Sequence, residues 1–221
     1  MGFLESFSMG FKELRIILSG NVGIMALSWF LFGLSGALVF PFFTLYAKAL
    51  GADDLSIAII RSAGMFVLAF LIVIGGFLTD YFGRVKVILF GTSLIVFTQY
   101  GYALVNNWTQ LAILWIIDEA AHFYQPALTA IIMDSLPRDK ALRGFLALQA
   151  FPSIPWLFMP IVGGFLYDTL GLTGIRIGFF IAGTISAIVL ALRVKGLRET
   201  MFVRKNNGKI TDLIPELMKY K

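Results

Sequence analysis

The chain has 221 residues, of which 58% are hydrophobic and 14% charged. A water-soluble domain carries about 25% charged residues, and the apolar residues here come in runs of roughly 20, the length that crosses ~30 Å of hydrocarbon. That composition excludes a soluble domain and predicts an all-α, multi-pass membrane protein.

The net charge of +5 sits mostly in loops and tail, so it reads as membrane topology and attraction to anionic lipid, not as a nucleic-acid surface. Cysteine is absent, which removes disulfides and thiolate metal sites. Residues 1–20 have no small-residue cleavage site after a short apolar core, so no cleavable signal is expected. Met1-Gly2 with Ser6 fits a myristoylation pattern, but a multi-span protein needs no acyl anchor. Asn107-Trp108-Thr109 fits a glycosylation sequon in a loop too close to the membrane to be used.

In chain order, Phe3, Phe7, Phe11, Leu14 and Leu18 recur at helical spacing and predict a short interfacial helix. Six spans follow, at about 22–47, 57–79, 87–105, 110–133, 145–167 and 175–194. After Lys195 the chain turns polar, and Ile210, Leu213, Ile214, Leu217 and Met218 then form one apolar face. This reads as an amphipathic helix on the membrane surface, with a disordered basic tail as the alternative. The expected division is an interfacial segment (1–21), a transmembrane domain (22–195) and a basic tail (196–221).

Basic residues set the expected orientation. With the amino terminus inside, fifteen fall on inner segments, among them Arg84, Lys86, Arg138, Lys140, Arg143, Arg193 and Lys195. Three fall outside: Lys48, Arg61 and Arg176. Positive-inside asymmetry of that size predicts both termini in the cytoplasm.

Gly75-Gly76-Phe77-Leu78-Thr79-Asp80-Tyr81-Phe82-Gly83 recurs 88 residues later as Gly163-Gly164-Phe165-Leu166-Tyr167-Asp168-Thr169-Leu170-Gly171. The copies end the second and fifth spans and lie on opposite sides of the membrane in this topology. Two inverted three-helix repeats are expected, a signature of secondary transporters; chance and shared helix-packing chemistry are the rival explanations.

Gly76-x-Leu78-x-Asp80-x-x-Gly83-Arg84 resembles the loop between the second and third spans of the major facilitator superfamily. Asp134-Ser135-Leu136-Pro137 with Arg143-Gly144 resembles that family's loop between spans four and five. Pro160-x-x-Gly163-Gly164 resembles part of a fifth-span motif of drug antiporters, and Leu197-Arg198-Glu199-Thr200 resembles the exit from span six. Tyr81 and Val85 stand where the family often has basic residues. Leu114 and Asp118-Glu119-Ala120 stand where its fourth span often has Arg before Gly-x-Gly. Met159 and Pro155 replace fifth-span glycines. The family unit has twelve or more spans. The resemblance implies the amino-terminal six-helix half of such a transporter in the plasma membrane, with a second half supplied by a homodimer partner or a separate chain. It also implies a conformational latch built from Gly76, Asp80, Gly83, Arg84, Asp134 and Arg143, and helix packing at Pro160, Gly163 and Gly164. Ordinary positive-inside anchoring is the alternative for the loop residues.

The fourth span carries the polar chemistry. Asp118, His122, Gln125 and Thr129 are spaced to share one face of a helix. Asp118 falls roughly 12 Å deep at 1.5 Å per residue. An ionised carboxylate there is costly unless paired or solvated, so Asp118 or Glu119 is a candidate to take up and release a proton. Arg61 is the expected ion-pair partner of either; snorkelling to headgroups is its alternative. The competing account of the stripe is a structural polar cluster. Glu119-x-x-His122 is half of a di-metal pattern, and His122 is the sole histidine, so no metal and no cofactor are expected. No catalytic triad, P-loop or zinc spacing is present, so no enzyme is expected. The expected function is secondary active transport of a small solute by alternating access, coupled to protons. The alternatives are an inactive half awaiting a partner half, and a non-transporting six-helix scaffold or sensor.

Overall fold

The computed structural model describes residues 19–137 and 141–201, apart from the Arg143 side chain. The expected interfacial helix, the tail helix, Arg138 and Lys140 therefore lie outside the described residues. Every described element is helical. α1 is Gly20–Val39, and a 3-10 turn at Phe40–Phe42 joins it to α2, Phe43–Ala49. α3 is Asp54–Phe82 and α4 is Arg84–Leu104. α5 is Trp108–Ala121, a 3-10 turn covers His122–Tyr124, and α6 is Gln125–Ser135. α7 is Ala141–Ala150, followed by 3-10 turns at Phe151–Ser153 and Pro155–Leu157, then α8 at Met159–Leu170 and α9 at Leu172–Gly196.

Among the described residues, five stretches are long and apolar enough to cross a membrane: Gly20–Ala49, Asp54–Phe82, Arg84–Leu104, Gly144–Leu170 and Leu172–Gly196. The expected fourth span is not among them. It is built from α5 and α6, which are shorter and carry Asp118, Glu119 and His122. Proline explains the interruptions. It removes a helical N–H and its ring clashes with the preceding turn. Pro41, Pro126, Pro152, Pro155 and Pro160 each sit at the start of a helix or 3-10 turn.

The starts and turns have local causes. Asp53 caps α3 by accepting from the Ser56 N–H at 2.7 Å, and Asn107 caps α5 by accepting from the Gln110 N–H at 2.9 Å. The last glycine of each motif copy makes the tight helix-to-helix turn. Gly83 has φ +89° and Gly171 φ +57°, a region that a side chain disfavours.

α9 packs most extensively on α4 and α1, and α3 on α5 and the His122–Tyr124 turn. The first glycine of each motif copy allows one of these approaches. A Cβ on Gly75 would strike the Phe123 carbonyl oxygen, and one on Gly163 would strike the Leu38 carbonyl oxygen. Phe123 and Leu38 each lie three residues before a proline, Pro126 and Pro41. Thus α3 closes on the break after α5 as α8 closes on the break after α1. The second glycines differ from the first. Nothing lies within 4 Å of a Cβ at Gly76, and Gly164 would meet the Phe42 ring at 3.6 Å, an ordinary contact.

Two apolar clusters fill the bundle. One, near Gly83, holds Met25, Ile88, Tyr124 and Ile131. The other, toward Gly51, holds Leu38, Phe43, Tyr46, Tyr102 and Phe179. There the Tyr46 hydroxyl donates to the Tyr102 carbonyl at 2.6 Å. Asp118 lies on α5 between Trp115 of the second cluster and Ala121 of the first.

Candidate functional site

A cavity of about 410 Å³ opens between α1, α4, α5, α6 and α7. The expected stripe of Asp118, His122, Gln125 and Thr129 lines it, as do Gln99 and Gln149. Its apolar wall is mostly aromatic, with Trp29, Phe32, Phe40, Tyr124 and Phe145 beside Ile95 and Leu128. The 3-10 turn falls within the stripe, yet all four polar side chains reach the same space.

Asp118 is 4% exposed. Thr98 on α4 donates its hydroxyl to the Asp118 carboxylate at 2.5 Å. His122 Nδ1 lies 2.7 Å from the Asp118 carbonyl oxygen. A carbonyl only accepts, so Nδ1 is the donor in this contact. The His122 ring stacks on Tyr124, 18° from parallel.

Two expected site residues lie elsewhere. Glu119 does not line the cavity. It faces α3, where a Cβ on Gly64 would meet the Glu119 side chain at 2.8 Å. Arg61 pairs with neither acid. Among the described residues the ion pairs are Lys48–Asp54 and Arg84–Asp134. The Arg61 guanidinium instead lies over Phe43 and Trp115, 5.2 and 5.5 Å from the ring centroids. Rings at that height offer a cation a negative face and leave its head accessible.

The loop motif residues gather at the Gly83 end. Arg84 ion-pairs with Asp134, donates to the Ala130 carbonyl at 3.1 Å and donates to the Thr200 hydroxyl at 2.8 Å. Asp80, grouped with Arg84 in the expected latch, is exposed and takes no part in these contacts. Arg84 heads α4 while Asp80 lies in the last turn of α3, and the positive-φ turn at Gly83 separates the two. The Glu199 carboxylate accepts from the Val85 N–H at 3.0 Å, capping α4. Asn21 clasps the Arg198 backbone from both sides, at 2.9 and 2.8 Å, and donates to the Ser135 hydroxyl at 3.1 Å. The segment leaving α9 is thereby tied to the ends of α1, α4 and α6.

Arg193 was expected on the inner surface. It is instead 0% exposed, inside the bundle. Its Nη1 donates to the Thr92 hydroxyl at 2.6 Å, and its guanidinium lies 5.0 Å from the Phe32 centroid and 5.8 Å from that of Tyr124. One signal for this was available. Ile175, Phe179, Ala182, Ser186, Val189 and Arg193 follow one another at steps of three and four, so Arg193 continues the packed face of α9.

The family model of the Major Facilitator Superfamily matches residues 25–217, and the chain belongs to that superfamily. It is similar to the quinolone resistance protein NorA of Staphylococcus aureus (strain MRSA252), 24% identical over 177 residues, covering 79% of this chain and 44% of NorA. It is similar to the multi-drug resistance efflux pump PmrA of Streptococcus pneumoniae (strain TIGR4), 27% identical over 191 residues, covering 85% of this chain and 45% of PmrA. The chain therefore spans about half the length of the curated relatives it matches. The fold resembles that of the human organic anion transporter MFSD10 (TETRAN), with a TM-score of 0.61 at 17% identity, covering 86% of this chain and 49% of that one. Family and apolar helices together make this a multi-pass protein of the cell membrane.

Proposed function

We propose that the chain is one half of a secondary active transporter, moving a small solute across the cell membrane by alternating access and coupled to protons. Six spans form two inverted three-helix repeats, with both termini in the cytoplasm. The fit of Gly75 on Phe123 and of Gly163 on Leu38 supports the repeats, because exchanging span one with four and two with five carries one contact onto the other. This half rocks against a second six-helix half, a second copy or a separate chain, around the cavity beside α5. The names of the relatives favour export of small organic solutes.

One observation carries the reading: Asp118 is a buried carboxylate on a cavity wall, with a hydroxyl donor and no ion-pair partner among the described residues. A carboxylate so placed changes its charge more readily than one held by a cation, so solute and proton compete for it. Asp118, His122 and Gln125 form the solute and proton site. Glu119 and Arg61 stand outside its wall and have supporting roles. Arg84, Asp134, Gly76, Asp80, Gly83 and Arg143 form the latch region on the cytoplasmic side.

Thiol labelling separates this reading from a non-transporting scaffold. Cysteines placed singly at His122, Gln125 and Thr129 are expected to react with a membrane-impermeant reagent, and a small solute is expected to slow the reaction. Unreactive thiols at all three positions would contradict a water-filled transport site.

A further inference from the structure

The cavity wall hides a second charged group, and it has no counter-ion among the described residues. Arg193 is 0% exposed, and a cation in that position is costly without an anion beside it. Its Nη1 donates to a neutral hydroxyl, that of Thr92, and its other polar neighbour, the Tyr124 hydroxyl, carries no formal negative charge to balance it. Nε and Nη2 have no hydrogen-bond partner among the described residues. These two nitrogens are adjacent along one edge of the guanidinium, and their N–H bonds run parallel. That edge is the fork that receives the two oxygens of a carboxylate.

The guanidinium of Arg193 lies behind the aromatic wall of the cavity. The two rings that the guanidinium carbon lies over, Phe32 and Tyr124, are themselves cavity-lining residues. Phe32 and Tyr124 thus touch the cavity on one side and Arg193 on the other. The position relative to Asp118 follows from α4, which bonds Arg193 through Thr92 and Asp118 through Thr98. Six residues of helix separate those threonines by roughly 9 Å along the axis. The acid and the base thus mark different levels of one space.

We infer that the Nε–Nη2 edge of Arg193 is a carboxylate-binding subsite of this cavity, and that the cavity takes aromatic solutes bearing a carboxylate. The carboxylate lies on the fork, and the aromatic body lies against Trp29, Phe32 and Tyr124. This rests on the cavity being the solute site, as proposed above, and adds to it a chemical class and a residue.

The test is equilibrium binding to the full chain in lipid nanodiscs, followed by quenching of tryptophan fluorescence. The probes are 1-naphthoate, its neutral methyl ester, and 1-naphthylmethylammonium. The wild-type chain is expected to bind naphthoate at least tenfold more tightly than the ester. Arg193→Gln abolishes that preference and leaves ester binding unchanged, which also certifies that the variant is folded. Arg193→Lys restores part of the preference, since an ammonium keeps the charge and loses the fork. Equal binding of acid and ester by wild type, or an undiminished preference in Arg193→Gln, overturns the subsite. Loss of ester binding in both variants makes Arg193 a structural residue and also overturns it. The ammonium probe tests the underlying reading separately, because its binding depends on Asp118 and not on Arg193. Binding of none of the three by wild type counts against both.

Discussion

Arg84, the first residue of α4, is ion-paired with Asp134 near the end of α6, and not with Asp80 four positions before it in its own motif. The same guanidinium reaches the Ala130 carbonyl and the Thr200 hydroxyl. One side chain therefore ties the Gly83 turn to two distant stretches of chain. Arg84→Ala removes a half-buried charge with three partners and is expected to cost about 2 kcal/mol. Asp80→Ala removes an exposed carboxylate and stays within ~0.5 kcal/mol. Thermal unfolding of both variants in mild detergent checks the ordering; a larger loss in Asp80→Ala would refute the pairing.

The glycine pairs make a sharper contrast. Gly75→Ala and Gly163→Ala each drive a methyl into a carbonyl oxygen, and each is expected to destabilise by about 1–3 kcal/mol. Gly76→Ala meets open space and gains up to ~1 kcal/mol of helix propensity. Melting temperatures should fall for the first two and hold or rise for the third. If Gly75→Ala and Gly76→Ala behave alike, the close approach of α3 to Phe123 is wrong.

Glu199 supplies a pH dependence. Burial works to raise its pKa, but the backbone N–H groups of Val85, Met201, Arg84 and Thr200 outweigh it and hold the carboxyl below its ordinary 4.5. A group more acidic when folded contributes stability above its unfolded pKa, and that contribution is lost as pH falls through the folded value. Stability at the Gly83 end should therefore decline as pH drops below about 4.5. Glu199→Gln should be less stable than wild type at neutral pH, and the gap should narrow on acidification. Unfolding midpoints from pH 3 to 7 measure it, and a gap that widens in acid contradicts the assignment.

Much of this was legible in the sequence. Run length predicted six spans, and five of them coincide with stretches long and apolar enough to cross a membrane; the repeated Gly-Gly motif marked the two helix ends where α3 and α8 make their close approaches. The stripe of Asp118, His122, Gln125 and Thr129 reached one cavity despite the proline break, because a short 3-10 turn shifts the face only modestly. Other features depend on tertiary neighbours. Glu119 is one residue from Asp118, and helical rotation of about 100° sends it to α3 instead of the cavity. Arg61 had a plausible acid at its depth, but Phe43 and Trp115 are nearer. Arg193 sits close to a helix end, where a basic residue is ordinarily topological. Its burial depends on Phe32, Thr92 and Tyr124 from three other elements.

The two acids on α5 should separate functionally. Glu119→Gln alters a side chain packed at Gly64, outside the cavity, and is expected to retain most pH-driven transport. Asp118→Asn keeps the side chain's size and removes its charge.

The most direct test of the account is solute flux driven by a pH gradient in proteoliposomes, with the chain in its native assembly, comparing wild type with Asp118→Asn. The expected result is flux that follows the gradient in wild type and is absent in the variant, at equal reconstitution and with equal solute counterflow. Gradient-driven flux of equal rate in Asp118→Asn would contradict the claim that this buried carboxylate carries the proton.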